Sequence, residues 1–213
     1  MSDLRNTLVG GAFVLAALAT AGCSSPGGAS SGSSASKAPE AVVYEADYPA
    51  YDSLDGVIEA ADVIVTGEVV DSRVEELLPD EPQGDDPLAN PQAGVAEEDR
   101  AEIEPVVTTV STLRVSGVLA GDVRAGDTIE VSQLGGELGG TTYREESTTP
   151  LAGDGTEYVL MLADHGDDAP YDLLNPEQAL YTVKGKTVRP VTGEGFGAAG
   201  TLDSLGRTVD SAK

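Results

Sequence analysis

The chain of 213 residues contains one cysteine, one histidine, two phenylalanines and no tryptophan. A single cysteine excludes an intramolecular disulfide framework. One histidine and one cysteine leave too few ligands for an ordinary zinc site, which takes three or four. Basic residues are equally sparse: Lys and Arg total 12 against 37 Asp and Glu, for a net charge of -25. Such a balance argues against nucleic-acid binding, which depends on cations that neutralise phosphates and release counterions. It argues equally against electrostatic docking on anionic lipid. Self-repulsion keeps the chain soluble, and its acidic loops suit divalent cations. Few Lys and Asn beside abundant Ala, Gly, Val and Asp match a high-GC genome, an actinobacterium or a halophilic archaeon.

The lone thiol stands at Cys23, where an apolar run gives way to Ser, Pro and Gly. Ahead of it come one basic residue, Arg5, and an apolar segment from Leu8 to Leu18, followed by small residues. This is the order of an export signal. The segment is shorter than the ~20 residues a bilayer-spanning helix needs. The string "TAGC" resembles the lipobox of bacterial lipoproteins, with Ala21 and Gly22 as the small residues before the cysteine. Thr20 stands where Leu is usual. The resemblance implies a signal peptide over 1–22 and a mature chain beginning at a diacylglyceryl-modified Cys23 carrying fatty acids such as palmitate. An ordinary secretory signal would leave a stray thiol, and lipidation accounts for it. Several acyl chains, at about 0.8 kcal/mol per buried methylene, anchor stably where one does not. The expected location is the extracytoplasmic face of the cell membrane, and the expected partner of Cys23 is the bilayer.

Residues 24–40, "SSPGGASSGSSASKAPE", form a Gly/Ser spacer with a reach of about 20–25 Å. Its "SASK" matches the Ser-x-x-Lys pattern of penicillin-recognising enzymes. That chemistry needs a helix to bring Lys beside Ser, and a Ser-rich linker supplies none.

A single domain is expected over 41–210. Asp52 or Ser53 caps a short helix with Leu54, Val57, Ile58 and Ala61 on one face. "DVIVTGEVV" then reads as a buried strand, with Gly67 marking a bulge or bend. Residues 75–104 hold eleven acids against Arg100 alone, with Pro79, Pro82, Pro87 and Pro91. This composition predicts a disordered acidic insertion. Calcium suits clustered carboxylates, but no D-x-D-x-D-G spacing organises them. Strand patterns resume at Val106–Val118, where Thr112, Arg114 and Ser116 share one face opposite Leu113 and Val115. "TIEVSQL" follows, and Gly135, Gly136, Gly139 and Gly140 read as a mobile loop. Then come "TEYVLMLA", a capped turn of helix at Asn175-Pro176-Glu177, and "ALYTVKGKTVRPV" with a hairpin at "KGK". A closing helix presents Leu202, Leu205 and Val209 inward. The fold class is mainly β: a small antiparallel OB-like barrel with short flanking helices, a disordered N-terminal tether and an acidic loop.

The strings "AADVIVTGEVV", "TVSTLRVSGVLAGD", "GDTIEVSQLGG" and "GTEYVLMLA" resemble a group of uncharacterised actinobacterial lipoproteins across about 60–200, the insertion excluded. Ala120 stands where that group carries Lys, and "YVLML" replaces an aromatic-bearing strand. More remotely, the order is similar to netrin-type OB domains, which include metalloproteinase inhibitors. Those have disulfides and use an N-terminal cysteine amine on the protease metal. With Cys23 acylated, inhibition does not carry over.

Catalytic sets are missing. His165 in "ADHGDD" has Asp164, Asp167 and Asp168 around it, which favours its protonated form, but Gly166 marks a surface turn and no G-x-S-x-G elbow exists. "GFGAAG" at 195–200 lacks the βαβ unit and downstream acid of a dinucleotide site. Glycosidase carboxylates lack an aromatic platform, and Tyr44, Tyr48 and Tyr51 read as packing against the barrel. No catalytic residue, cofactor or metal ligand is assigned. The expectation is a non-catalytic lipoprotein domain that binds a protein or cell-wall partner. OB-like barrels bind on the face of their second and third strands, which puts Thr112, Arg114 and Ser116 at the ligand face beside Gly135–Gly140. The alternative is an envelope enzyme using carboxylates or a divalent cation, or a calcium-binding surface protein.

Overall fold

The computed structural model describes residues 41–78, 84, 90, 92–96, 99–100, 102–166 and 169–213. The expected signal, Cys23, the tether and nearly half of the acidic insertion lie outside the described residues. Strand β1 (Ala41–Tyr44) is followed by helix α1 (Leu54–Ala60). The long strands β2 (Val63–Leu77) and β3 (Val106–Ala120) come next, then β4 (Thr128–Leu138) and β5 (Thr141–Glu145). The chain continues through β6 (Glu157–Ala163), β7 (Tyr171–Leu173), β8 (Leu180–Lys184), β9 (Thr187–Pro190) and β10 (Gly200–Thr201) to helix α2 (Leu202–Ala212).

The protein is mainly β, and five strands form a loosely closed OB-like ring in the order β2-β3-β4-β7-β6. All neighbours run antiparallel except β4 and β7. Closure rests on three residues: Tyr171 and Asp172 pair with Val131 and Ser132, while Asp172 and Leu173 pair with Ala163 and Leu162. A ring removes the exposed edges of a flat sheet, but requires the strands to bend sharply. β2 bends at three register shifts, one of them between Thr66 and Gly67. At Gly67 a Cβ would stand 2.7 Å from the Arg114 carbonyl oxygen. Glycine is there because β3 leaves no room for a side chain.

The core is aliphatic. Ile64, Leu113, Val131, Leu160 and Leu162 are fully buried in the ring, and Val57 and Ile58 of α1 join the same cluster. Ser53 caps α1, its hydroxyl accepting from the Gly56 N–H at 3.1 Å. In α2, Thr201 and Ser204 satisfy each other's backbone N–H groups, and Leu205 and Val209 are buried. The Lys213 ammonium donates to the carbonyls of Glu59 and Ala61, which satisfies the end of α1.

Several local expectations change. β2 continues through Glu75 and Glu76 to Leu77, and β3 begins opposite it at Val106, so the first residues of the expected insertion belong to a long hairpin. Period-2 patterning failed to reveal this because the hairpin's outer half is solvated on β2. Gly135 and Gly136 belong to β4 rather than to a mobile loop. Only Gly139 and Gly140 turn the chain, with φ of 60° and 86°, the left-handed pair that a two-residue hairpin demands. Gly136 is required by crowding: a Cβ would meet Thr109 Oγ1 and Val74 Cγ1 at 2.8 Å. Asn175 makes one capped turn, not a helix; its Oδ1 accepts from the N–H groups of Glu177 and Gln178 at 2.9 Å. The hairpin at Gly185-Lys186 joins β8 to β9 as expected.

Gly67→Ala is expected to lower unfolding free energy by about 1–3 kcal/mol in denaturant melts, because the Cβ has backbone on its far side. Gly153→Ala, whose Cβ would meet nothing closer than 3.8 Å, should stay within about 0.5 kcal/mol of the native chain. Equal stability of the two variants would refute the crowding account.

Candidate binding cavity

Of the anticipated ligand face, Ser116 has side-chain hydrogen bonds of its own, and Thr112 and Arg114 are placed by strand register. Ser116 Oγ lies 2.8 Å from Thr66 Oγ1 and donates to Glu157 Oε1 at 2.9 Å. Thr112 is registered between Asp71 and Glu130, and Arg114 between Glu68 and Thr128. Arg73, which sequence reading did not single out, forks to Glu130, with Nη2 2.8 Å from Oε2, and reaches Glu75 at 2.9 Å. The guanidinium holds the Glu130 carboxyl below its usual range, and Glu130 pushes Arg73 up in turn. Both are well exposed, so the pair adds little to stability.

The concave site uses the same two strands, but at their other end. A cavity of about 400 Å³ is lined by Thr108 of β3 and Ser132, Gln133 and Leu134 of β4. Thr108 lies six residues from Arg114, roughly 20 Å along the strand. Leu77, at the root of the acidic hairpin, and His165, in the β6–β7 loop, close two sides. In an OB-like ring these are the loop between the first and second strands and the loop between the fourth and fifth, which flank the usual binding face.

The wall opposite is a strap, residues 45–53, drawn across the barrel from β1 to α1. Tyr48 and Tyr51 of "YEADYPAY" lie in it, and Tyr44 ends β1 just before it. Tyr44 stacks on Tyr143 with ring centroids 5.9 Å apart, and its hydroxyl accepts from the Val107 N–H at 2.9 Å. Tyr48 and Pro49 line the cavity. Gln178 clamps the backbone of Tyr51 in both directions, accepting from its N–H at 2.9 Å and donating to its carbonyl at 3.2 Å. Asn175 Nδ2 donates to the Pro49 carbonyl at 3.0 Å. Packing, rather than a free contact patch, is what these rings do.

Asp172 lines this space, and Glu145 lines a second chamber. Asp172 Oδ2 lies 2.9 Å from His165 Nε2, with both side chains half-exposed. Partial burial raises the Asp172 carboxyl above its usual value, and His165 offsets only part of that. Glu145 is 7% exposed and has no Lys, Arg or His partner among the described residues. Its oxygens accept from the Ser147 N–H at 3.1 Å and the Thr148 hydroxyl at 2.8 Å. Tyr48 has its pKa raised, first by burial, against the opposing hydrogen bond of Thr148, and then by the fields of Glu145 and Asp172.

The second chamber, also of about 400 Å³, shares Gln133, Leu134 and Thr148 with the first but lies on the opposite face of the β2–β3–β4 ladder, where Val74, Thr109 and Gln133 stand in register. Val74, Gly135, Gly136, Tyr143 and Pro150 make its walls largely apolar, with Glu137, Arg144 and Glu145 at its border. Gln133 holds the partition: its amide donates to the Thr149 carbonyl at 3.0 Å and accepts from the Leu151 N–H at 2.9 Å.

Among the described residues His165 bonds to Asp172 and to no nucleophilic hydroxyl or thiol, and no group of three His, Cys, Asp or Glu is placed to hold a metal. Sequence reading treated His165 as a solvated turn residue and missed Asp172, because only the β4–β7–β6 ladders carry that carboxylate to it. No protein-family model matches the chain, and no curated protein matches it in sequence.

The raised Asp172 carboxyl has a definite sign for stability. Its folded pKa exceeds its unfolded one, so its contribution is present below the ordinary Asp value and is lost as pH rises through the raised value. Asp172→Asn removes that loss. Its stability relative to the native chain is expected to climb between about pH 3 and pH 7 in denaturant melts. A constant gap across that range would contradict the assignment.

Proposed function

We propose that the protein is a membrane-anchored extracytoplasmic lipoprotein whose β domain is a non-catalytic binding module. The observation that carries this reading is "TAGC" at Thr20–Cys23, set between an apolar segment and a Gly/Ser spacer. Acyl chains on Cys23 hold the chain to the bilayer, and the spacer lifts the domain clear of the headgroups by about 20–25 Å. The resemblance to actinobacterial lipoproteins points to the same anchor, and that to netrin-type OB domains supports the barrel alone. The domain contributes a concave site between the two loops that OB-like barrels use for ligands. Its charge of -25 keeps it off phosphate-rich surfaces, so the lipid rather than the protein face supplies membrane affinity.

Cys23→Ala is expected to move the protein from the membrane to the soluble fraction of broken cells. Mass spectrometry of the native protein should find residue 23 as an acylated N-terminus. Unchanged membrane fractionation of the variant, or a bare thiol at Cys23 in the native chain, would overturn the proposal.

A further inference from the structure

The chamber walled by Val74 and Tyr143 continues the inner face of the barrel. On β3, Thr109 stands two residues from Ser111 and four from Leu113, so the three share one side of the sheet. Their partners on β4 are Gln133, Val131 and Ile129, and Leu113, Val131 and Ile129 belong to the core. Core packing gives way to open space at the Thr109–Gln133 rung. Gly136 brings no side chain to fill it, because a Cβ there would collide with Val74 and Thr109. β5 forms a further wall, with Tyr143 and Glu145 two residues apart on one strand face.

Glu145 is more than nine-tenths buried. Its carboxylate is held by neutral donors alone, the Ser147 N–H and the Thr148 hydroxyl. A buried carboxylate is normally paired with a cation, because such hydrogen bonds offset only part of the desolvation cost. Among the described residues no Lys, Arg or His forms an ion pair with it. Arg144 borders the chamber but is exposed and alternates away from Tyr143 and Glu145 along β5. A carboxylate offers about four acceptor positions, and the two hydrogen bonds leave the others free. The remaining walls are largely hydrocarbon, from Val74, Leu134, Tyr143 and Pro150.

We propose that this chamber is a binding site for a small hydrophobic organic cation, its ammonium paired with Glu145 and its apolar body packed on Val74, Tyr143 and Pro150. The site is separate from the cavity beneath the strap, across the β2–β3–β4 ladder. It adds a ligand class to the binding-module reading and holds whether or not Cys23 is acylated. Charge complementarity selects the cation. An anion would enter against Glu145 and Glu137, and a neutral molecule would leave the buried carboxylate without a counter-charge. Tyr143, its ring stacked on Tyr44, adds an aromatic surface to which ammonium groups are attracted. A volume of about 400 Å³ is at the lower end for small-molecule sites and suits one ring or a short chain. Glu145 also borders an opening beside Val43 and Glu146, which lets the ammonium keep part of its hydration.

The test uses three probes of matched shape, benzylammonium, benzyl alcohol and benzoate. Each is titrated by calorimetry into the full 213-residue chain carrying Cys23→Ser. Benzylammonium is expected to bind at least about tenfold more tightly than benzyl alcohol, with benzoate the weakest. Glu145→Gln keeps an acceptor for the local donors but removes the charge, and should reduce benzylammonium to the level of benzyl alcohol. Should that variant fail to fold, amide shift mapping on the parent chain decides. Benzylammonium must then perturb Val74, Gly136 and Tyr143 and leave His165 and Asp172, in the other cavity, unmoved. The proposal is overturned if benzyl alcohol or benzoate binds as well as benzylammonium, if Glu145→Gln leaves the affinity unchanged, if the perturbed amides lie elsewhere, or if no probe binds. These readouts are independent of membrane fractionation, so a wrong ligand class and a wrong anchor are distinguishable.

Discussion

The fold depends on how closely β2 and β3 approach each other at Gly67. β2 must pair with β3 on one edge and β6 on the other while turning a corner. Any side chain at Gly67 would push into the Arg114 carbonyl. With that approach made, β6 comes round far enough for three residues of β7 to reach β4 and close the ring. Ile64, Leu113, Val131 and Leu162 then leave water together. A second glycine, Gly136, plays the corresponding part where β4 turns out of the ring and crosses the β2–β3 hairpin. The space beside that crossing is the apolar chamber, so the geometry that completes the barrel also creates the cavity.

The strap shows how a segment with no helix or ladder of its own is held in place. Loops carry polar backbone that must find partners. Here Gln178 and Asn175 supply them from a single Asx-capped turn. That turn spends its side chains on the neighbour rather than continuing as a helix. The tyrosines do the apolar part. Tyr44 covers Tyr143, and Tyr48 covers the cavity. In a chain almost without Phe and Trp, tyrosine supplies the aromatic area, and the hydroxyls of Tyr44 and Tyr158 each take a backbone N–H.

Charge has two distinct roles. Most of the acidic excess is on the solvated surface or in the hairpin tip, where it acts through solubility and repulsion. Arg73 and Glu130 form an exposed fork that ties β2 to β4 across β3. Glu145 and Asp172 differ: the first is buried and the second half-exposed against His165, so water screens them less than it screens the rest. Bulk net charge said nothing about which of 37 acids these would be.

The patterns that depend on near neighbours in the chain were legible in the sequence. The Ser53 cap, the inward face of Leu205 and Val209, the Gly185 hairpin, the bend at Gly67 and the alternation of Thr112 to Ser116 all follow from local dihedral preference and hydrophobic period. The barrel followed from strand count and spacing. Five short stretches, β1, β5, β7, β10 and the outer half of β2, gave no such signal, because their pairing is decided by partners far along the chain. The cavity belongs to this second kind. Asp172 meets His165 through a three-residue strand, and Glu145 ends an unanticipated one beside a strap held from 126 and 127 residues away. A linear pattern records which residues can share a face; only closure of the ring decides which faces enclose space, because that is a property of long-range register.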